Sequence, residues 1–533
     1  VIWSLAGLFC CWILLDIFQL QVTGGIAQSA YDAMVRARLV VAAPDPRIVI
    51  LDIDEPSLKR MSAEFGRWPW PRDTLASVLD YVEKQAPAAI VWDVLFSDAD
   101  RLSPGGDAAF DSAVQRSRHS HFPVVRLHGS SDDQSQISRA VLPSLWVPSR
   151  TPSPSQGAAA TVALIPPALP AVANAPLGYN NGYVDSDGVL RRYRNFETLR
   201  DGSTIQSIAM SVLSTVDPPA YAQEVAALDS NASHSNELIA WRRHAEAYPH
   251  YAFADVFEAA DTAKANPALP SMRGKIVLIG STAASLHDIH PTPLAAYHPG
   301  VDSLATAIDN AVNHRHLFEL ARWQNALIAI ALCVGLAAWV QRWKISSLTP
   351  FTFALPAGLL FISYLTLNGS PVFVDLHLSA ALAMLFLAIL RFWNQLRRDF
   401  WCQPTALERE DLALWPLVRN APWTEEALDR LIDFVEKRLP QARIIVPDVQ
   451  LHLFQELRWP ELAQHAAIVA PQAALSRVYD QCEGQIWRLS QTHGKITPLT
   501  GLHRRDSIAR LSMQIWSTIE SLDSPDSSKK GDK

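Results

Sequence analysis

Four apolar runs limit what this chain can become. Residues 1–22 read VIWSLAGLFCCWILLDIFQLQV, and residues 323–340, 350–367 and 377–390 are of the same character. A helix needs about 20 apolar residues to cross the hydrocarbon of a bilayer. The first three runs come close to that length, and the fourth reaches it with its flanks. Inside lipid only a helix or a closed barrel satisfies its own backbone groups, so each run is expected to be a membrane-spanning helix. A cleaved signal peptide is the other reading of the first run. That run has no small-residue cleavage site, and it carries Trp and Phe towards both ends. Asp16 sits inside it and is expected to snorkel or to face another helix. A charged fraction of 19% and 17 Trp suit a chain that lies partly in lipid. The chain opens on Val rather than Met, and a short, positively charged start is expected before it.

Basic residues between the runs orient them. Residues 341–344 read QRWK, with Arg342 and Lys344, and residues 391–400 read RFWNQLRRDF, with Arg391, Arg397 and Arg398. Residues 368–377, NGSPVFVDLH, contain neither Lys nor Arg. Cytoplasmic loops collect Lys and Arg, which puts the two basic segments inside and NGSPVFVD outside. The implied order is a span at 1–22, an outer domain at 23–321, spans at 322–341, 350–367 and 376–393, an inner domain at 400–522 and a polar tail at 523–533. Both termini are then cytoplasmic. Cys10, Cys11, Cys333, Cys402 and Cys482 all lie outside 23–321, so the outer domain must hold its shape without an internal disulfide. A net charge of −7 with no basic stripe disfavours nucleic acid as a partner.

Within the outer domain, residues 47–97 carry the most information. IVILDID and AAIVWDVLF are β-branched apolar runs with Asp towards their ends. Buried parallel strands look like this, with polar groups collected at the carboxyl ends. Residues 74–85, with Leu75, Val78, Leu79 and Val82, have helical spacing and suit the crossover. The acidic stretch before them reads as a turn-rich loop. The expected fold class is α/β with a mixed, mostly parallel sheet. Asp52, Asp54, Glu55 and Asp93 then gather at the carboxyl ends of two adjacent strands, where open α/β sheets bind ligands. In the GRWPWPR segment Pro69 and Pro71 fix the backbone, Trp68 and Trp70 offer broad apolar faces, and Arg67 and Arg72 flank them. One reading is a clamp, in which Arg67 or Arg72 pairs with an aspartate while the rings cover the sheet edge. The other is a ligand site built from Asp52, Asp54, Glu55, Arg67, Trp68, Trp70, Arg72 and Asp93, suited to an anionic or ring-bearing molecule. Paired carboxylates also serve acid–base chemistry or a divalent ion.

Residues 130–176, rich in Ser, Pro and Ala, read as a long surface spacer. GYVDSDGVLRRY at 182–193 has the Asp-Gly signature of a tight hairpin. Asp185, Asp187, Arg191 and Arg192 are expected to form its charged rim, because the run is too short for the roughly six oxygens of a calcium loop. LHDIHPTPLAAYH brings His287, Asp288, His290 and His298 together in sequence. His287, Asp288 and His290 are metal candidates, with zinc the suited ion, and the alternative is that Asp288 only orders its loop. No cofactor is indicated. The inner region reads as a small α/β domain, with a helix pair at 407–418 and 425–439, a strand at 442–448, a helix at 451–464 and a strand at 466–472. It lacks the motifs of histidine kinases, cyclases and Ser/Thr kinases, and GxxxxGK[ST] occurs nowhere in the chain. Asp448 and the GLHRRD segment, with Arg504 and Arg505, are the polar residues of note there; the arginines suit a phosphate near a helix start.

Several stretches, in order, point to a family. They are residues 47–97, the hairpin at 182–193, YPHYAFADVF at 248–257, and GKIVLIGSTAASLHDIHPTPL with HPGVDSLATAIDNAV at 274–312. Together these resemble the CHASE2 domain, an extracytoplasmic sensor module of bacterial membrane receptors. The resemblance covers about residues 28–320. It departs from the family at Leu304, where a polar residue or His is frequent, and across 130–176. The resemblance implies a multi-pass receptor of the bacterial inner membrane with one span, the sensor, three spans and an output domain. Its implied partners are an extracytoplasmic ligand or protein, a cytoplasmic protein and further copies of itself. The signal is expected to pass through the helices at the two ends of the sensor, 28–41 and 302–313. Two other functions stay open: a non-catalytic scaffold or docking subunit of an envelope or defence complex, and an enzyme with its active site in 400–522.

Overall fold

Alternation along one buried strand sets the architecture. The computed structural model describes residues 1–20, 22–100, 103–148, 161–200, 202–228, 237–262, 266–343, 349–402, 411–446, 464–486, 492–493 and 496–498. Asp448, the helix expected at 451–464 (apart from its last residue), Arg504, Arg505 and the tail at 523–533 lie outside the described residues. The chain divides into two units: Leu14–Ala329 with Leu359–Leu378, and Val1–Ile13 with Ile330–Gly358 and Ser379–Lys533.

In the first unit the chain lays down β1 (Ile48–Asp52), β2 (Ala89–Trp92), β3 (Ser120–Arg126), β4 (Leu164–Ile165), β5 (Leu177–Tyr179), β6 (Tyr183–Val184), β7 (Leu190–Arg192), β8 (Phe196–Thr198), β9 (Thr204–Gln206), β10 (Glu237–Leu238), β11 (His250–Ala252), β12 (Ile276–Gly280), β13 (Ile289–His290), β14 (His298–Pro299), β15 (Leu317–Glu319) and β16 (Val372–Phe373). The main sheet has the order β11-β1-β12-β2-β3-β4, with β5 also on β3. Every pairing is parallel except β3–β4. This is the mixed, mostly parallel sheet the apolar runs implied. Val49 and Leu51 of β1 point into one cluster with Val78, Leu79 and Phe110. Ile48 and Ile50 point into another with Ile208, Leu304 and Ile308. A strand covered on both faces has no polar side to show, so its sequence reads as a continuous apolar run. Trp92, Phe96, Phe110 and Phe122 fill the first cluster, with ring centroids 4.7 Å apart for Phe96–Phe110 and 5.3 Å for Trp92–Phe110.

A second sheet has the order β16-β15-β10-β7-β6. It joins the 182–193 hairpin to β15, which precedes the second apolar helix. It also takes in β16, which lies between the third and fourth; β15 and β16 pair in parallel through Phe318 with Val372 and Glu319 with Phe373. The helix Gly24–Arg36, just after the first apolar helix, buries Tyr31 and Val35. Tyr31 packs edge-on to Phe373 at 5.3 Å.

Five expectations are corrected here. β1 and β2 are not neighbours, because β12, contributed much later in the chain, lies between them. The acidic stretch after β1 is a helix, Glu55–Phe65. Asp54 caps it, accepting from Ser57 N at 2.8 Å, and Pro56 stands in its first turn; Asp-Glu-Pro is a helix start rather than a loop. The described parts of 130–176 are not a surface spacer. Leu142, Leu145, Trp146, Val162 and Leu169 are core residues, because single apolar side chains between the Ser and Pro residues anchor the segment on the sheet. A strand, β15, and not the last helix, leads into the second apolar helix. The first half of the inner helix pair is also a strand, as described next.

Among the described residues, four helices are long and apolar enough to cross a membrane: Ile2–Leu20, Arg322–Arg342, Pro350–Gly369 and His377–Cys402. In the second unit Phe9 packs edge-on to Phe386 at 5.8 Å. Its sheet is built on β17 (Leu412–Val418), β18 (Arg443–Ile445), β19 (His465–Pro471), β20 (Thr492–His493) and β21 (Thr497–Pro498), in the order β18-β19-β17-β20, with β21 also on β17. Residues 412–418, expected to be helical, form the central strand, buried from Leu412 to Leu417. Short apolar runs look alike in buried helices and strands. Pro416 is tolerated because β21 pairs with Ala413–Leu414 and β20 with Leu417–Val418, so Pro416 falls between them. Arg398 forks onto Asp429 at 2.8 and 2.9 Å, and Arg397 meets Asp433 at 2.7 Å. The fourth apolar helix is thereby tied to the helix Glu425–Arg438.

Gly178 of β5 lies very close to a neighbouring helix. A Cβ there would stand 2.3 Å from Ile208 N and 2.4 Å from Ile208 Cα. Backbone atoms of a buried helix cannot give way, so Gly178→Ala is expected to cost about 3 kcal/mol or more, read as a lower midpoint in thermal unfolding of the detergent-solubilised chain.

Candidate functional site

The carboxyl edge of the main sheet gathers two acidic groups of different kinds. The first centres on Asp52, the last residue of β1. Its Oδ1 accepts from Thr282 N at 2.9 Å, and its Oδ2 accepts from Thr282 Oγ1 at 2.7 Å. His250, the first residue of β11, places Nδ1 3.0 Å from Asp52 Oδ2 and Nε2 3.3 Å from Asp302 Oδ1. Asp302 lies in the first turn of the helix Gly300–Val312 and is wholly buried. Burial alone would lower the His250 pKa. The hydrogen bonds and charges of Asp302 and Asp52 outweigh it and lift the value to about 10. The group is an imidazolium held between two carboxylates, and it joins β1, β11, the turn after β12 and the helix Gly300–Val312.

The second group centres on Asp93, one residue beyond β2. Asn180 Nδ2 donates to its Oδ1 at 2.6 Å. Asp93 keeps some exposed surface, but protein encloses its carboxyl group. That burial, and then the charge of Asp288, push its pKa up to about 7. Two glycines let the parts approach. A Cβ on Gly280 would meet Asp93 Cβ at 2.9 Å, and one on Gly300 would meet both Asp288 carboxylate oxygens at 2.4 Å. His290 Nε2 lies 3.5 Å from Asp288 Oδ1, while His287, in the left-handed region at φ 57°, is exposed.

The remaining residues singled out from sequence fall around this edge without converging. Asp54 is spent as a helix cap, and Glu55 accepts from Ser285 N at 2.9 Å. Trp68 packs edge-on to Trp70 at 4.9 Å, and Trp70 stacks on Phe253 at 5.3 Å. Trp70 is therefore core, and Trp68 is half-buried. Arg72 pairs with Asp107 and the Asp98 carbonyl and lies over the Phe96 ring, so its acid partner is not one of the strand-end aspartates. Arg67 is exposed, with no hydrogen-bond partner among the described residues. Sequence reasoning singled out neither His250, Asp302 nor Asn180. His250 stands inside the YPHYAF motif, where its proximity in sequence to apolar residues hid its partners.

The hairpin at 182–193 departs most from expectation. Arg191 is not on a rim; it is 1% exposed. It forks onto Asp32 at 2.8 and 2.7 Å, meets Asp185 at 2.9 Å, and meets both oxygens of Asp187 at 2.9 and 2.7 Å. Asp32 lies on the helix that follows the first apolar helix. Arg192 pairs with Asp185 and, at 2.5 Å, with Glu319 of β15. The loop after His290 reaches both partners: Leu190 N donates to Pro291 O at 2.8 Å, and Arg36 Nη1 donates to Pro293 O at 2.9 Å.

Both acidic groups make pH-dependent predictions of definite sign. For His250 the folded value of about 10 lies above the unfolded 6.5. Its stabilisation is therefore complete below pH 6.5 and is lost as pH rises through about 10. His250→Ala leaves a buried, unpaired acid and is expected to cost about 3 kcal/mol at neutral pH. It should cost clearly less in an Asp302→Asn background, and the gap to wild type should close in alkali, as measured by denaturant unfolding. For Asp93 the folded value of about 7 lies above 3.8, so its ionisation opposes folding and stability falls between those values. Asp93→Asn should be more stable than wild type above that range by at least about 1.4 kcal/mol, the worth of one pKa unit. The two should converge in acid.

Comparison with curated proteins gave no match, and comparison with solved structures gave none. The model of the CHASE2 domain matches residues 6–339. The matched region is wider than the 28–320 stretch that carries the motifs, and it takes in most of the first two apolar helices with the whole sensor-like core between them. The chain belongs to the CHASE2 domain family.

Proposed function

We propose that this protein is a receptor of the bacterial inner membrane. In this reading residues 23–321 form an outer sensor, the spans at 1–22, 322–341, 350–367 and 376–393 cross the bilayer, and residues 400–522 form a cytoplasmic output domain. The family match supports a sensory role. The parallel pairing of β15 with β16 supports the orientation, because it puts the lead into the second span and the turn between the third and fourth on one side. The basic residues at 342 and 397–398 favour the other side as cytoplasmic.

The observation that carries a signalling role is the Arg191–Arg192 junction. One guanidinium holds Asp32, behind the first span, and the next holds Glu319, ahead of the second. A change at the carboxyl edge of the sheet reaches this junction through the loop at 287–293. Protonation of Asp93, or a cationic ligand beside Asp93 and Asp288, relieves like-charge repulsion there and shifts the loop. The hairpin then moves against the helix Gly24–Arg36, and the spans move as semi-rigid rods. The other strand-end and loop residues, Asp52, Asp54, Glu55, Arg67, Trp68, Trp70 and Arg72, are proposed to frame that edge. The output domain, with no catalytic motif, is proposed to recruit a cytoplasmic protein, and the receptor to work as a homo-oligomer.

Two measurements on the full chain in native membranes test this. Reporter fusions at Asp107 and Asp448 should report opposite compartments; the same compartment for both ends the reading. Cysteine crosslinking between the first and second spans should change between about pH 6 and about pH 8, either side of the Asp93 value of about 7. The change should vanish in Asp93→Asn and in Arg192→Met. Crosslinking that ignores pH in the wild type counts against the proposed trigger, and persistence of the change in Arg192→Met counts against the junction.

A further inference from the structure

A second cluster of donors lies away from the acidic edge, between the buried helix Gly300–Val312 and β15. The chain there reads His314-Arg315-His316. His314 takes a φ of 50°, a left-handed turn that His tolerates better than most side chains. Beyond it the side chains alternate. Arg315 Nη1 donates to Ala43 O at 2.8 Å and to Asp309 Oδ1 at 3.3 Å. The two histidines leave on the other side, where they meet Glu224 of the helix Pro218–Leu228. His316 Nε2 lies 3.0 Å from Glu224 Oε1, and His314 Nδ1 lies 3.5 Å from the same oxygen. One donor atom from each residue lies within 4.8 Å of the others, and among the described residues this is the one such group of three.

We propose that Glu224, His314 and His316 bind a divalent transition cation of the zinc class. A tetrahedral ion with bonds of about 2.0–2.1 Å holds its donors about 3.3 Å apart, and the distances to Glu224 bracket that spacing. Two imidazoles and one carboxylate suit zinc rather than calcium or magnesium, which take oxygen donors. Three protein donors leave a fourth position for water. The Phe318 ring, stacked on His316 at 5.8 Å, fixes the orientation of that imidazole, and the exposed His314 gives the ion a way in. Binding replaces the proton that His316 Nε2 shares with Glu224, so uptake releases protons to solvent. A bound ion ties the helix Pro218–Leu228 to the chain immediately before β15. The proposal is independent of the receptor reading, since it follows from donor geometry alone.

The test uses the full chain in detergent, with its cysteines alkylated, dialysed against Zn²⁺ and assayed for bound metal and for affinity by chelator competition. The wild type should hold one ion per chain. His314→Ala, His316→Ala and Glu224→Gln should each weaken binding by more than the roughly tenfold that loss of even an outer-shell partner costs. The double variant His314→Ala/His316→Ala should hold none. His314 is exposed, so its single variant keeps the fold, checked by circular dichroism. A His287→Ala/His290→Ala variant should bind as the wild type does, and Co²⁺ should give a tetrahedral absorption band that the His314→Ala/His316→Ala chain lacks. Equal uptake by wild type and that double variant overturns the proposal, as does loss of binding on replacing His287 and His290 instead.

Discussion

Arg191 carries a full charge into a place nearly without water, and three carboxylates hold it there. Taking an ion out of water costs several kcal/mol, and the cost is recovered only when geometry and hydrogen bonds are nearly complete. Here five hydrogen bonds to Asp32, Asp185 and Asp187 complete them. Such a cluster resists partial loosening, because withdrawing one partner leaves the rest uncompensated. The helix Gly24–Arg36 and the hairpin β6–β7 therefore behave as one piece. Arg192 extends the piece to β15 through Glu319, and β15 carries it to β16. Every segment by which the sensor-like domain joins an apolar helix runs through or beside this junction.

The main sheet provides the rigid side of that connection. Both its faces are covered, so its strands cannot slide by one residue without exposing a whole apolar set. Its carboxyl edge is where the design relaxes. His250 between Asp52 and Asp302 is an ion group that locks four elements. Asp93 beside Asp288 is held against its preference to ionise. Stability is given up at this one point of the edge, and that contrast is what the proposed trigger rests on.

Much of this fold is legible residue by residue. IVILDID, AAIVWDVLF and KIVLIG announce buried strands because a doubly covered strand has nothing but apolar residues to display. GYVDSDGVLRRY announces a hairpin because the Asp-Gly pair suits a tight turn, and Gly188 takes φ 80° there. The helix Glu55–Phe65 was also written locally, in Asp54 and Pro56, but its acidic content drew attention towards chemistry instead. LALWPLV could not be assigned by period, since a short run buried on all sides shows none. In the described parts of 130–176 composition misleads, because it averages over the few apolar anchors that decide their place. The candidate site was half legible: its aspartates stood out, but the residues that define their behaviour did not.

What the chain determines by itself is whatever depends on neighbours a few residues apart. This includes the four apolar runs, the strand and helix periods, the hairpin turn and the ordered motifs of the CHASE2 family. Only the tertiary structure decides which charges meet. Asp32 and Arg191 are 159 residues apart, and Asp52 and His250 are 198. Asp52 meets His250 because β11 takes one edge of β1 while β12 takes the other, and Asp32 meets Arg191 where the hairpin of the second sheet lies against the helix Gly24–Arg36. No local pattern encodes either choice, because hydrogen bonding and burial are equally satisfied along either edge of β1 until the rest of the sheet is in place.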